Sequence, residues 1–257
     1  MTIDFESEVG FIWDVDGVIV DSPHELAWRL TAEMAPWNVG KGRLDSEFYR
    51  DYVSGRPRYK GGDVILERFG VYERLGAETA PEKEEVLEQY CTRKNKLFNE
   101  LVSSGRFEVF ETSVAMIVEA HTRGMIQAMA SASKNAKNLI KQITGDHRSG
   151  IPDTLYSLFE VDASGLSGKN KPELFAFAAD RMHELSGGRI KHYIVFEDAP
   201  SGIEACKENR MFCVGIRRIG GRSILSEAGA DIVVDDLGEL SCDGLKSRFI
   251  EACYQTL

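Results

Sequence analysis

The 257-residue chain is poor in the features that would mark it as a membrane, secreted or nucleic-acid-binding protein. No apolar run approaches the roughly 20 residues that a bilayer-spanning helix needs. The first ten residues, MTIDFESEVG, are acidic and lack a basic flank followed by an apolar stretch, so no signal peptide is expected. The five cysteines, Cys91, Cys206, Cys213, Cys242 and Cys253, are odd in number and form no CxxC pair. Reduced thiols in a cytoplasmic protein are therefore the expectation. There is no basic surplus: the formal net charge is -10, which argues against a partner held by its phosphate backbone. A small phosphorylated ligand stays compatible, because a local pocket can oppose the global sign. Internal repeats and low-complexity tracts are absent too. What remains is 43% hydrophobic and 28% charged, the balance of a folded globular protein, with enough length for one large α/β domain or a core plus a smaller domain.

Short apolar runs alternate with helical patterns, which predicts a doubly wound parallel sheet. The candidate strands are Phe11 to Trp13, Met125 to Ala130, Tyr193 to Phe196, Phe212 to Ile216 and Asp231 to Val234. Helices are expected over Thr112 to Arg123, Asn135 to Ile143, Pro172 to Leu185 and Pro200 to Asn209, with Pro172 and Pro200 in first turns, where a missing N–H costs nothing. Residues from about 23 to 105 read differently: charge-rich, helical and without a convincing strand. Their best period runs from Glu82 to Val102, with Leu87, Tyr90, Leu97 and Leu101 on one stripe. This predicts a helical domain inserted after the first strand and covering the site, with 1–22 and 106–257 forming the core domain. Thr144 to Gly168 is expected to be loops around a short strand.

Three apolar strands end on polar residues suited to phosphate chemistry: Asp14, Ser131 and the pair Glu197 and Asp198. In an open α/β sheet, ligands bind beyond the carboxyl ends of the strands, so these residues should converge. In Asp14-Val15-Asp16-Gly17, one carboxylate can act as nucleophile while the other gives and then takes a proton; a strand-end pair that caps a turn is the bland alternative. Glu197 and Asp198 at the same edge would repel Asp14 without a cation, and together they make an oxygen-rich site for Mg²⁺, although acids before Pro200 also offset a helix dipole. Ser131, Ser133, Lys134 and Asn135 open a helix after a strand and can hold an anion, or Ser131 can be an ordinary N-cap. Lys169 can hold a phosphate oxygen or Asp14, with Lys171 an equal candidate on these grounds. Lys94 falls on the apolar stripe, where it either snorkels to water or faces a cleft. Arg58, in a Gly-Arg-Pro-Arg loop, is suited to bidentate phosphate contact or is plain surface.

Taken together, DVDGVIVDS at 14–22, Ser131, Lys169 and Glu197-Asp198-Ala199-Pro200-Ser201-Gly202-Ile203 resemble the four motifs of the haloacid-dehalogenase-like superfamily, in the right order. The resemblance implies a Rossmann-like core with an inserted α-helical cap. It implies Asp14 as nucleophile, Asp16 as general acid/base, Ser131 on the transferring phosphoryl group, and Lys169, which precedes Pro172-Glu173, as the charge-balancing lysine. It places Mg²⁺ on Asp14, the backbone carbonyl of Asp16 and Asp198, with Glu197 on the metal or one layer out. Within the superfamily, the chain is similar to the β-phosphoglucomutase-like branch. There Ser133, Lys134 and Asn135 flank the second motif, Arg93-Lys94-Asn95 matches a cap segment with a substrate-contacting lysine, Arg58 matches a cap arginine, and His24 a cap-hinge histidine.

The expectation is Mg²⁺-dependent phosphoryl transfer, through an aspartyl-phosphate, on a sugar phosphate or similar phosphomonoester, by a phosphatase or by a mutase. The reading from another class is a non-catalytic phosphate-ligand-binding protein on the same fold. Neither nucleic acid nor membrane is an expected partner.

Overall fold

Val9 to Trp13 carry no polar side chain, and in the computed structural model they form a strand buried at every position. The structure describes residues 3–145, 149–166, 169–218 and 220–255. The strands are β1 (Val9–Trp13), β2 (Val20–Asp21), β3 (Glu108–Val109), β4 (Gln127–Met129), β5 (Val161–Asp162), β6 (His192–Glu197), β7 (Phe212–Ile216) and β8 (Ile232–Val234). Six of them form one parallel sheet in the order β5-β4-β1-β6-β7-β8, while β2 and β3 pair antiparallel as a separate ribbon. The chain passes from β1 to β4 and β5 on one side, then crosses to β6, β7 and β8 on the other. The switch in winding falls beside β1, where such sheets open a crevice at their carboxyl ends.

The helices are α1 (Phe5–Glu8), α2 (His24–Glu33), α3 (Ser46–Tyr52), α4 (Arg58–Arg68), α5 (Val71–Arg74), α6 (Ala80–Ser103), α7 (Glu111–Thr122), α8 (Ala136–Ile140), α9 (Lys171–Leu185), α10 (Pro200–Glu208), α11 (Arg222–Glu227) and α12 (Cys242–Gln255). The chain divides into two units, Met1–Asp21 with Glu108–Leu257, and Ser22–Phe107.

In the first unit both faces of the sheet are covered, so its strands need apolar residues throughout rather than alternation. Ile12, Ala128 and Val195 pair across β1, β4 and β6 and pack with Phe175 and Met182 of α9 and Ile203 of α10. The neighbouring residues point to the other face, where Trp13 stacks on Phe196 at 3.8 Å and Phe11 meets Phe5 of α1 edge-on at 6.1 Å. The amide of Gln127, buried there, is satisfied: it accepts from Trp13 Nε1 at 2.9 Å and donates to Ile117 O at 2.9 Å. The second unit is helical, α2 to α6, around its own core, which includes Trp28, Trp37, Ile65, Leu66 and Tyr90.

Some expected elements are shorter than the pattern implied. The strand expected over Met125 to Ala130 is Gln127–Met129. The helix expected to reach Ile143 stops at Ile140, because the chain tightens into i→i+3 bonds, Gln142 N to Leu139 O and Ile143 N to Ile140 O, and Thr144 then bridges Thr154. The awkward stretch that follows contains a 3₁₀ turn (Leu155–Leu158) and the edge strand β5; residues 146–148, 167 and 168 of it lie outside the described residues. Among the described residues, no helix is long and apolar enough to cross a membrane.

Candidate active site

Asp14 is the first residue past β1, and its N–H still donates to Phe196 O of β6 at 3.1 Å. Since Trp13 pairs with Phe196, the register alone brings Asp14 level with Glu197 at the carboxyl edge of the sheet. Ligand oxygens of Asp14, Glu197 and Asp198 lie within 4.8 Å of one another. Asp14 is 7% and Glu197 1% exposed, so the cluster is largely shielded from the water that would ordinarily screen it.

Two glycines make this crowding possible. Gly202, in the first turn of α10, passes so close to Glu197 that a Cβ there would lie 1.4 Å from Oε1. Gly17 turns the chain with φ +83°, and a Cβ would lie 2.1 Å from Asp198 Oδ2. The turn closes through Gly17 N to Val20 O and Ile19 N to Val15 O, and it carries the half-buried Asp16 just beyond Asp14.

The lysine on this cluster is Lys171, and the expectation of Lys169 is corrected here. Lys171 Nζ sits 2.6 Å from Asp14 Oδ1 and 3.2 Å from Glu197 Oε1. Lys169 is exposed, with Nζ 6.0 Å from the Phe177 ring centroid. The physical reason is the start of α9. Asn170 is its N-cap, accepting from Glu173 N at 3.0 Å while Glu173 accepts from Asn170 N at 2.7 Å. This reciprocal box locks the first turn, so Lys171 leaves the first helical position toward the sheet edge, whereas Lys169 precedes the cap. The signal was present as Asn-x-x-Glu, and the spacing to Pro172 was the weaker guide.

Electrostatics follow from three carboxylates facing one ammonium. Burial, then the charges of Asp14 and Asp16, push the Asp198 carboxyl up to about 8. Burial and Asp14 hold Glu197 well above the carboxylate range, against the opposing pull of Lys171. Burial alone would lower Lys171, but Asp14 and Glu197 outweigh it and its ammonium is held above its usual range. Without a cation the cluster thus tends to keep protons. An all-oxygen donor set with surplus negative charge fits a hard divalent ion.

Ser131 follows β4, is 4% exposed, and accepts from Ser133 N at 3.1 Å, while Ser133 Oγ accepts from Asn135 N at 3.2 Å. Its carbonyl is held by Gly165 N at 2.8 Å, so the irregular stretch before α9 serves to pin this loop. Asn135 is buried and Lys134 exposed.

Within the helical unit, Lys94 does not snorkel. It is 3% exposed, its Nζ lies 2.7 Å from His24 Nδ1 and 4.6 Å from the Trp28 ring centroid, and His24 stacks on Phe98 at 4.2 Å. Burial, then Lys94 and then Arg58, hold the His24 imidazole well below its usual range, so it stays neutral and accepts from the ammonium. His24, Lys94 and Arg58 therefore share one electrostatic environment.

The profile of the haloacid dehalogenase-like hydrolases matches residues 9–209. The chain belongs to that family. Among solved structures, it is similar to an archaeal β-phosphoglucomutase from Pyrococcus sp. strain ST 04, with 36% identity, a TM-score of 0.75, and coverage of 94% of this chain and 98% of the other. Among curated relatives, it is 39% identical to 2-deoxyglucose-6-phosphate phosphatase 2 of Saccharomyces cerevisiae over 95 residues, a match spanning 36% of this chain and only 37% of that protein. It is also 24% identical to the phosphorylated carbohydrates phosphatase of Thermotoga maritima, over 87% of this chain and 92% of that one.

Proposed function

We propose that this haloacid dehalogenase-like hydrolase is a Mg²⁺-dependent phosphatase of sugar phosphates, working through an aspartyl-phosphate on Asp14. The observation that carries the reading is the buried cluster in which Lys171 bridges Asp14 and Glu197 beside Asp198. An Asp14 oxygen attacks phosphorus in line, and the leaving sugar oxygen takes its proton from Asp16. Asp16 then removes a proton from the water that attacks the phosphoryl group, releasing phosphate and restoring Asp14. Asp14, the Asp16 carbonyl and Asp198 would hold Mg²⁺, with Glu197 beside them; when bound it supplies positive charge to the phosphoryl oxygens. Lys171 holds the Asp14 carboxylate in place for attack, and Ser131 donates to a phosphoryl oxygen. His24, Arg58, Lys94, Ser133, Lys134 and Asn135 are assigned to substrate selection.

A second reading is favoured by the likeness to the Pyrococcus β-phosphoglucomutase, which extends over nearly the whole chain. If a sugar hydroxyl rather than water takes the phosphoryl group from Asp14, the same machinery is a mutase. Incubation with Mg²⁺ and a phosphomonoester panel that includes 2-deoxyglucose 6-phosphate, alongside β-glucose 1-phosphate with a trace of the 1,6-bisphosphate, separates the two. Free phosphate is the expected product; glucose 6-phosphate would establish the mutase. Asp14→Asn is expected to abolish either activity, and substantial residual turnover would overturn the nucleophile assignment.

A further inference from the structure

The loop after β7 carries an arginine that none of the four motifs includes. Arg218 Nε donates to Gly17 O at 2.6 Å, across 201 residues of sequence. Its guanidinium carbon lies over Phe110, 3.5 Å from the ring centroid. Phe110 directly follows β3, and its N–H donates to Ile19 O at 3.0 Å, so it is fixed to the same turn that Gly17 begins. Arg218 Nη2 is buried with no hydrogen-bond partner among the described residues. Burying a charged donor without a partner is costly, so packing alone does not account for an arginine here. The other charged groups acting on it are Asp198, Asp236 and Asp21.

Gly17 is the residue whose backbone rests against the Asp198 carboxylate, and its peptide follows Asp16 directly. The Asp16–Gly17 peptide is tied through Gly17 N to Val20 O at 2.8 Å, and the bond from Arg218 to Gly17 O ties the next peptide, so the two together hold the turn that carries Asp16 and against which Asp198 leans. The Phe110 ring lies against the guanidinium and so restrains the group from which Nε reaches Gly17 O. We infer that Arg218 is a positioning residue for the metal-binding turn, holding Gly17 so that the Asp16 carbonyl and the Asp198 carboxylate keep the spacing a divalent cation requires. The inference rests on the magnesium reading above and goes beyond it by naming a support that lies outside the motifs.

Two effects compete and have opposite signs. As a positive charge, Arg218 opposes cation binding, so removing charge alone would tighten Mg²⁺. As a clamp it favours binding, and supports of this kind are commonly worth about 10–100-fold in metal affinity. Lysine keeps the charge but lacks the planar fork and the stacking face. The test is calorimetric titration of the full chain with Mg²⁺, independent of turnover, on wild type, Arg218→Lys, Arg218→Gln, Phe110→Leu and Arg222→Gln. Arg222 pairs with Asp235 and Glu239 on the neighbouring segment and serves as the control. Both Arg218 variants are expected to bind Mg²⁺ about tenfold or more weakly, Phe110→Leu to fall in between, and Arg222→Gln to match wild type. In the turnover assay the Arg218 variants should require correspondingly more Mg²⁺, with the substrate KM at saturating Mg²⁺ unchanged. If the Arg218 variants do not fold, Phe110→Leu, which keeps the arginine, decides by the same titration. Wild-type affinity in both Arg218 variants, or tighter binding in Arg218→Gln with an unchanged Arg218→Lys, would overturn the clamp alone. A wild-type chain that binds no Mg²⁺ would overturn the magnesium reading and the inference together.

Discussion

Lys169 and Lys171 stand two positions apart with the same side chain, yet one lies over an aromatic ring and the other between two carboxylates. The difference is energetic: only Lys171 exchanges its hydration for two buried counter-charges, and removing it leaves Asp14 and Glu197 facing each other uncompensated. Lys171→Met is accordingly expected to lower turnover by roughly 100-fold or more, whereas Lys169→Met leaves it near wild type; steady-state kinetics on the best substrate checks both. His24 gives a second residue-scale prediction. Its folded-state imidazole titrates below the ordinary 6.5, so the unfolded chain binds the extra proton first, and the contribution to stability is full above about that pH and lost as pH falls through the folded value. Nitrogen chemical shifts of the His24 ring should report a neutral imidazole at pH 6, and Lys94→Met should move its titration upward. A cationic His24 at pH 6 in the wild-type protein would contradict the Lys94 to His24 geometry.

At the scale of elements, α9 owes its position to its first turn. The box between Asn170 and Glu173 satisfies two N–H groups that the helix start would otherwise leave orphaned. Asn170→Ala should cost about 1 kcal/mol in urea unfolding and, because Lys171 is the next residue, should also lower turnover; a loss of stability with unaltered kinetics would mean that the cap does not set the lysine. The strands work by the opposite logic. β1 and β6 hold their ends level through backbone register and the Trp13 to Phe196 stack, so the acidic residues at and just past those ends need no contact of their own to meet. That is why an apolar run ending in Asp could be read as a site component before any contact was known, and why the boundaries of the short strands could not. β4 and β5 have three and two residues, too few for periodicity to delimit.

For the whole molecule, the surplus of buried carboxylates over cations predicts a folding stability that depends on pH and responds to an added divalent cation. A carboxyl group whose pKa rises on folding, as Asp198 does from 3.8 to about 8, binds its proton more tightly in the folded than in the unfolded state. Stability of the metal-free protein should therefore fall as pH increases across that window, at about 2–4 °C in Tm per kcal/mol lost. Added Mg²⁺, which replaces the proton, should raise Tm more at pH 8 than at pH 5. Calorimetric scans with EDTA and with Mg²⁺ at the two pH values check this, and a metal-independent Tm would count against the cluster as a cation site. From the sequence alone came the parallel α/β core, the helical insertion and the convergence of Asp14 with Glu197 and Asp198, because these depend on local periodicity and on a rule of sheet topology. Only the tertiary structure chose Lys171 over Lys169, buried Lys94 against His24, and brought Arg218 to Gly17. Each of those choices is a contact between side chain or backbone groups distant along the chain, decided by where burial leaves a charge its best partner; the Asn170-x-x-Glu173 pattern marks where the helix of Lys171 starts but not which carboxylates that lysine meets.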